Sequence, residues 1–204
     1  MQKIYSFIAG IFLLGGLILF ISQIGFCRRS PVISNTTPIP TSTATSLKDI
    51  LKEKNIRPQD LHIEVSKKQY TLKVLCGKTI IKSYPVVLGP NPVDDKRMEG
   101  DGCTPEGSFR IQSMYPHNKW SKFMWLNYPT NESYRKHHQA KKEGEIPSNA
   151  RIGGEVGIHG VKKGQDFLIK MGVNWTKGCI SLQNDHIDEL YDVIPANTEV
   201  IIYK

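Results

Sequence analysis

Apolar and polar residues alternate from His62 to Ser66 and again from Tyr70 to Leu75, with Lys67-Lys68-Gln69 between the two runs. A period of two marks a strand with one buried face, so the pair predicts a hairpin. Gly77-Lys78 reads as a second turn, leading into a strand from Thr79 to Leu88. Gly157-Ile158-His159-Gly160 is an apolar run closed by a glycine, the pattern of a short buried strand ending in a turn. Near the carboxyl end, Asn184 is placed to cap a helix carrying Ile187, Leu190 and Tyr191. Pro195 and Asn197 end that helix before a last strand from Thr198 to Tyr203. Ser46 caps a short helix with Leu47, Ile50 and Leu51 on one face, ending near Arg57-Pro58. Tyr115 to Ala150 is polar, rich in Trp, Tyr, Lys and His, and without clear periodicity. It reads as a long lid, binding loop or disordered stretch. Many strands and few helices give a mainly β, sandwich-like domain with short helices.

The amino-terminal third follows different rules. Ile4 to Phe26 contains no charged side chain, and about 20 apolar residues suffice to cross a bilayer as a helix. Residues 1–29 therefore read as a transmembrane anchor or export signal. An uncleaved anchor is favoured, because the apolar run exceeds a signal core and no small-x-small site follows. Lys3 on one flank and Arg28 and Arg29 on the other leave the orientation open. Phe26 before Cys27 argues against a lipoprotein cysteine. Residues 30–46 are dense in Ser, Thr and Pro, the composition of a flexible tether. Residues 47–60 then form a small helical appendage, and residues 61–204 form one domain large enough for its own core.

The net charge of +8 narrows the partners less than it suggests. Seven of the 27 basic and three of the 19 acidic residues precede residue 61, so the main domain carries only +4. With no basic helix or nucleic-acid motif, that field suits an anionic envelope polymer and not DNA or RNA. His137-His138 lacks metal-ligand spacing, and the two read as solvated loop histidines; no metal or other cofactor is expected. Cys76 and Cys103 are open to a disulfide in an oxidising compartment, but two separate buried thiols are the favoured reading.

Cys179 lies in Asn174-Trp175-Thr176-Lys177-Gly178-Cys179-Ile180-Ser181-Leu182, twenty residues after His159. A thiol beside a glycine, with a histidine at the end of an upstream apolar run, has the make-up of a nucleophile with its base. The thiolate needs a proton acceptor and backbone donors nearby. The plain alternative is a buried structural cysteine.

These residues resemble the L,D-transpeptidase catalytic domain, the YkuD family, which pairs a His-Gly with a downstream Ser/Thr-x-Gly-Cys. The likeness covers about residues 61 to 204. It includes Ile63-Glu64-Val65 through Val86-Val87-Leu88-Gly89, Thr104-Pro105-Glu106-Gly107-Ser108-Phe109, Asn127-Tyr128-Pro129 and Arg151-Ile152-Gly153-Gly154. The resemblance implies a Cys179 nucleophile and a His159 base whose imidazole is oriented by the Gly160 carbonyl. Peptidoglycan stem peptides would be the substrate, in an extracytoplasmic domain tethered to the membrane through residues 4–26 and working as a monomer. The amides of Gly178 and Cys179 are the expected oxyanion donors, with Thr176 and Trp175 shaping the pocket wall. Lys177 stands where many members have His, and Ser181 where many have Arg. Lys177 is expected to lower the thiol pKa through its charge. The Trp-Thr-x-Gly-Cys-Ile branch also contains enzymes that resemble hydrolases, and a silent peptidoglycan-binding module is a third reading.

Overall fold

A computed structural model describes residues 45–204. The membrane span expected over residues 4–26 and nearly all of the linker lie outside the described residues. Among those described, no helix is long and apolar enough to cross a membrane.

Eight strands form one mixed sheet. They are β1 (Leu61–Ser66), β2 (Thr71–Cys76), β3 (Thr79–Pro85), β4 (Gly107–His117), β5 (Ser121–Leu126), β6 (Gly157–His159), β7 (Ile180–Ser181) and β8 (Glu199–Tyr203). Their order is β3-β2-β1-β8-β4-β5-β6-β7. The hairpin read from the alternation is present, with Leu61 opposite Cys76 and Ser66 opposite Thr71. Ile63 and Val65 of β1 and Leu72 and Val74 of β2 are fully buried on one face, as a period of two requires. The two pairs β1–β8 and β6–β7 are parallel, and the other neighbours are antiparallel.

The sheet curls back on itself. Two residues after β3 ends at one edge, Val87 pairs with Ser181 of β7 at the other edge. The bridge is made by Val87 N–H to Ser181 O at 3.0 Å and Ser181 N–H to Val87 O at 2.9 Å. The closure encloses one main core that draws Ile63, Leu72, Ile111, Met124, Ile158 and Ile180 from both halves of the sheet. A smaller cluster of Val87, Val161 and Ile169, with Trp175 packed against it, lies beside the closure.

The helices cover this sheet. α1 (Leu47–Lys54) begins at Ser46, whose Oγ accepts from Asp49 N–H at 3.1 Å. Leu47 and Leu51 enter the main core, so this appendage packs as part of the domain. α4 (Asn184–Val193) packs on β5 and on α1. Asn184 does not cap it: its Oδ1 accepts from Val161 N–H at 3.0 Å, and the N-cap is Gln183 without a side-chain bond. α3 (Phe167–Lys170) is a single turn.

The long loop expected from Tyr115 to Ala150 is not a loop. It contains the end of β4, all of β5, and α2 (Asn131–Glu143). The Thr130 hydroxyl caps α2 at Ser133 N–H, and Gly144 ends it in a left-handed conformation. His137 is correspondingly not solvated: it is 4% exposed on α2, with Nδ1 2.6 Å from Arg97 O, while His138 is exposed. Cys103 is a free thiol buried at 2% exposure, so no bridge to Cys76 forms.

Candidate active site

Parallel pairing of β6 with β7 sets Ile158 opposite Ile180 and His159 opposite Ser181. Cys179 immediately precedes β7, and the Gly157 amide at the start of β6 bonds its thiol. Alternate strand residues share a face, so the imidazole of His159 and the thiol of Cys179 are carried on the same side, two residues apart. His159 Nδ1 lies 2.7 Å from Gly160 O. A carbonyl only accepts, so the neutral ring carries its proton on Nδ1 and keeps the Nε2 lone pair available as a base. Ser181 Oγ, fully buried, donates to the same carbonyl at 3.2 Å. Here Ser181 is part of the support of the histidine.

Rings enclose the imidazole. Phe123 stacks on it at 5.5 Å and 8° between planes, Trp120 at 4.5 Å and 25°, and Trp175 meets it edge-on at 5.5 Å and 74°. Gly160 cannot be larger, because a Cβ there would sit 2.7 Å from Trp120 O and 2.9 Å from Ile187 Cγ2. Burial among these rings lowers the pKa of His159 to about 4, although its bond to Gly160 pulls upward. Burial also pushes the Cys179 thiol up to about 11, against the Gly157 amide and the charge of Lys96, which favour the thiolate. At neutral pH both partners are therefore uncharged. The thiol rests against Glu155 O at 3.4 Å. Glu155 itself holds a left-handed backbone with φ 57°, a strained conformation for a residue with a side chain.

The turn before Cys179 is tied by Thr176. Its Oγ1 donates to Cys179 O at 2.8 Å and accepts from Gly178 N–H at 3.2 Å. The Gly178 amide is thus engaged within the turn, leaving the Cys179 amide as the candidate oxyanion donor. Thr176 N–H reaches Leu88 O at 3.2 Å, and Leu88 N–H reaches Asn174 Oδ1 at 2.9 Å, so the turn is bolted to the chain leaving β3. Gly178 has φ 130°, and a Cβ there would meet Cys103 O at 2.6 Å. Lys177 is exposed. The charge that favours the Cys179 thiolate is that of Lys96. Among the described residues, no cluster of His, Cys, Asp and Glu could hold a metal.

Sequence reasoning missed Trp120, Phe123, Glu155, Asn174 and Lys96. Trp120 and Phe123 fall in the stretch read as a loop. Glu155 and Asn174 act through backbone or short polar contacts that no periodicity records.

A family model for L,D-transpeptidase catalytic domains (YkuD) matches residues 60–202. The chain belongs to the YkuD family. A search of curated proteins found no match. Among solved structures, the YkuD chain is similar to the helical cell shape determining protein Pgp2 from Campylobacter jejuni, at 19% identity and a TM-score of 0.54, over 78% of this chain and 55% of that one. It is also similar to Bdellovibrio bacteriovorus Bd1075, at 22% identity and a TM-score of 0.50, over 71% of this chain and 48% of that one. The YkuD chain thus spans about half the length of these structures. At these identities the likeness is one of fold, and it agrees with the family match. YkuD enzymes act on peptidoglycan peptides in the cell envelope.

Proposed function

We propose that this chain is a peptidoglycan L,D-transpeptidase with Cys179 as nucleophile and His159 as its base. The observation that carries the reading is the 2.7 Å contact of His159 Nδ1 with Gly160 O, on the strand that faces Cys179. The contact fixes the tautomer that a general base needs. Cys179 Sγ attacks the carbonyl of the third stem residue while His159 Nε2 takes the thiol proton. A neutral pair suits this step, since charge appears only as the bond forms. The Cys179 amide faces the developing oxyanion. The imidazolium then protonates the departing amine of the terminal D-Ala, leaving a thioester. An acceptor amine attacks the thioester, His159 takes its proton, and the thiol regains one as the 3→3 crosslink leaves. Trp175 and Trp120 wall the pocket around the imidazole, and Lys177 is exposed on the turn before Cys179.

Residues 4–26 would anchor the enzyme, as a monomer, with its catalytic domain outside the cytoplasmic membrane. Its part in the cell wall would be of the kind that the name of the Campylobacter neighbour describes, the setting of cell shape.

Incubating the full chain with a disaccharide tetrapeptide and reading products by mass spectrometry tests the reading. Crosslinked dimers with D-Ala released are expected. Tripeptide without dimers would make water the acceptor and the enzyme an L,D-carboxypeptidase. Cys179→Ala should abolish turnover while the far-ultraviolet circular dichroism stays that of wild type; lost folding would indicate a structural cysteine instead.

A further inference from the structure

Lys96 is buried at 6% exposure, although nothing in the reaction outlined above uses it. An ammonium held away from water is costly unless it is paired and hydrogen-bonded. Lys96 Nζ bonds Asp101 Oδ1 at 2.8 Å and Met98 O at 3.0 Å. Its position is under the nucleophile turn: a Cβ at Gly178 would sit 3.7 Å from Nζ and 2.6 Å from Cys103 O.

Asp101 builds this seat. Its Oδ2 accepts from Arg97 N–H at 2.7 Å and Met98 N–H at 2.9 Å, and its Oδ1 accepts from Cys103 N–H at 3.0 Å. Three amides also secure the carboxylate, and residues 97–103 fold around it. A bare carboxylate here would leave an uncompensated buried charge beneath the turn. The lysine supplies the compensating charge, with its ammonium beside the place that a Gly178 side chain would take.

We propose that Lys96 is a positioning residue for the nucleophile: its buried ammonium, held by Asp101 beneath the Gly178–Cys179 turn, stabilises the thiolate that forms on Cys179. The remaining groups around the sulfur do not supply this. Glu155 opposes the thiolate, Cys103 is a buried neutral thiol, His159 is buried and neutral, and Lys177 on the same turn points into solvent. The Gly157 amide helps from the β6 side but carries no net charge.

The inference rests on Cys179 being the nucleophile, and its test needs no turnover. The full chain is alkylated with iodoacetamide from pH 7 to 10, and modification of the Cys179 peptide is followed by mass spectrometry. Lys96→Gln keeps a donor for Asp101 and removes the charge. We expect it to be alkylated about three- to tenfold more slowly at pH 8, with the whole profile displaced upward by about half to one pH unit. Lys96→Arg should return toward wild type. Lys96→Met keeps the buried stem and removes the charge; it should be slowed as Lys96→Gln is, and serves as the deciding variant if Lys96→Gln does not fold. Profiles for Lys96→Gln or Lys96→Met that superimpose on wild type would overturn the proposal. A displaced profile in a chain that turns over no stem peptide would leave the proposal standing and remove the transpeptidase reading.

Discussion

Acid should unfold this domain partly through one residue. The His159 imidazole keeps its neutral form down to about pH 4 in the fold, whereas an unfolded histidine takes up its proton near pH 6.5. Between those values the unfolded chain binds more protons than the folded one, so stability falls as the pH drops through that window. The contribution is fully present above pH 6.5 and fully lost below about pH 4. A separation of about 2.5 pH units corresponds to about 3 kcal/mol. For a domain of this size that is a fall in Tm of about 6–12 °C. His159→Phe keeps an aromatic ring between Phe123 and Trp120 but cannot titrate. Urea unfolding of both proteins at pH 7 and pH 4 should show wild type losing about 3 kcal/mol more than the variant. His186, whose pKa burial also lowers, and the carboxylates titrate in both proteins and cancel. Parallel losses would refute the burial argument and with it the neutral resting pair. The same displacement predicts that the acid limb of kcat/KM lies below pH 5 and not near 6.5.

Two further substitutions probe how the site is held. Thr176→Val deletes the acceptor for Gly178 N–H and the donor to Cys179 O while keeping the volume. Thermal unfolding should show a loss of about 1–3 kcal/mol, and turnover should drop about a hundredfold as the turn loses its geometry; unchanged turnover would mean that the turn is held without the hydroxyl. Gly157→Ala would set a Cβ 2.6 Å from Phe123 Cζ and 2.8 Å from Met124 O. Overpacking of about 1–3 kcal/mol is expected, together with reduced kcat, because the displaced Phe123 ring is the one stacked on His159; wild-type Tm and kcat would show that the ring yields freely.

The parts of the fold legible in the sequence are those where burial alternates cleanly. β1, β2 and β8 announce themselves because one face of each is wholly apolar. α2 does not, because it buries only His137 and Ala140 among its thirteen residues. It is attached through polar contacts, among them Lys136 to Asp95 at 2.6 Å and His137 to Arg97 O. Its start at Thr130 and its end at Gly144 were in the sequence as cap residues, but without an apolar stripe nothing pointed to them. In the site, the placement of Cys179 and His159 at element ends could be read from glycines and apolar runs. The buried cation beside the Gly178 turn could not, since Lys96 lies 83 residues before Cys179 and is brought there by the fold of the Asp101 clip. Lys177, adjacent in sequence, is on the solvent side of the same turn.

The Val87–Ser181 bridge joins residues 94 positions apart, and the Cys179 turn is bolted to the Val87–Leu88 segment through Thr176 and Asn174. Closing so long a span is among the slower events available to a β-rich chain. Until it happens, Cys179 is an ordinary accessible thiol with a pKa near 8.5; afterwards burial suppresses its ionisation. Cys179 is therefore most readily ionised, and most open to oxidants and stray disulfides, before the bridge closes, and less so in the folded domain, where it is half-buried. Chemical damage at Cys179 would gather first in the chains that fold slowly.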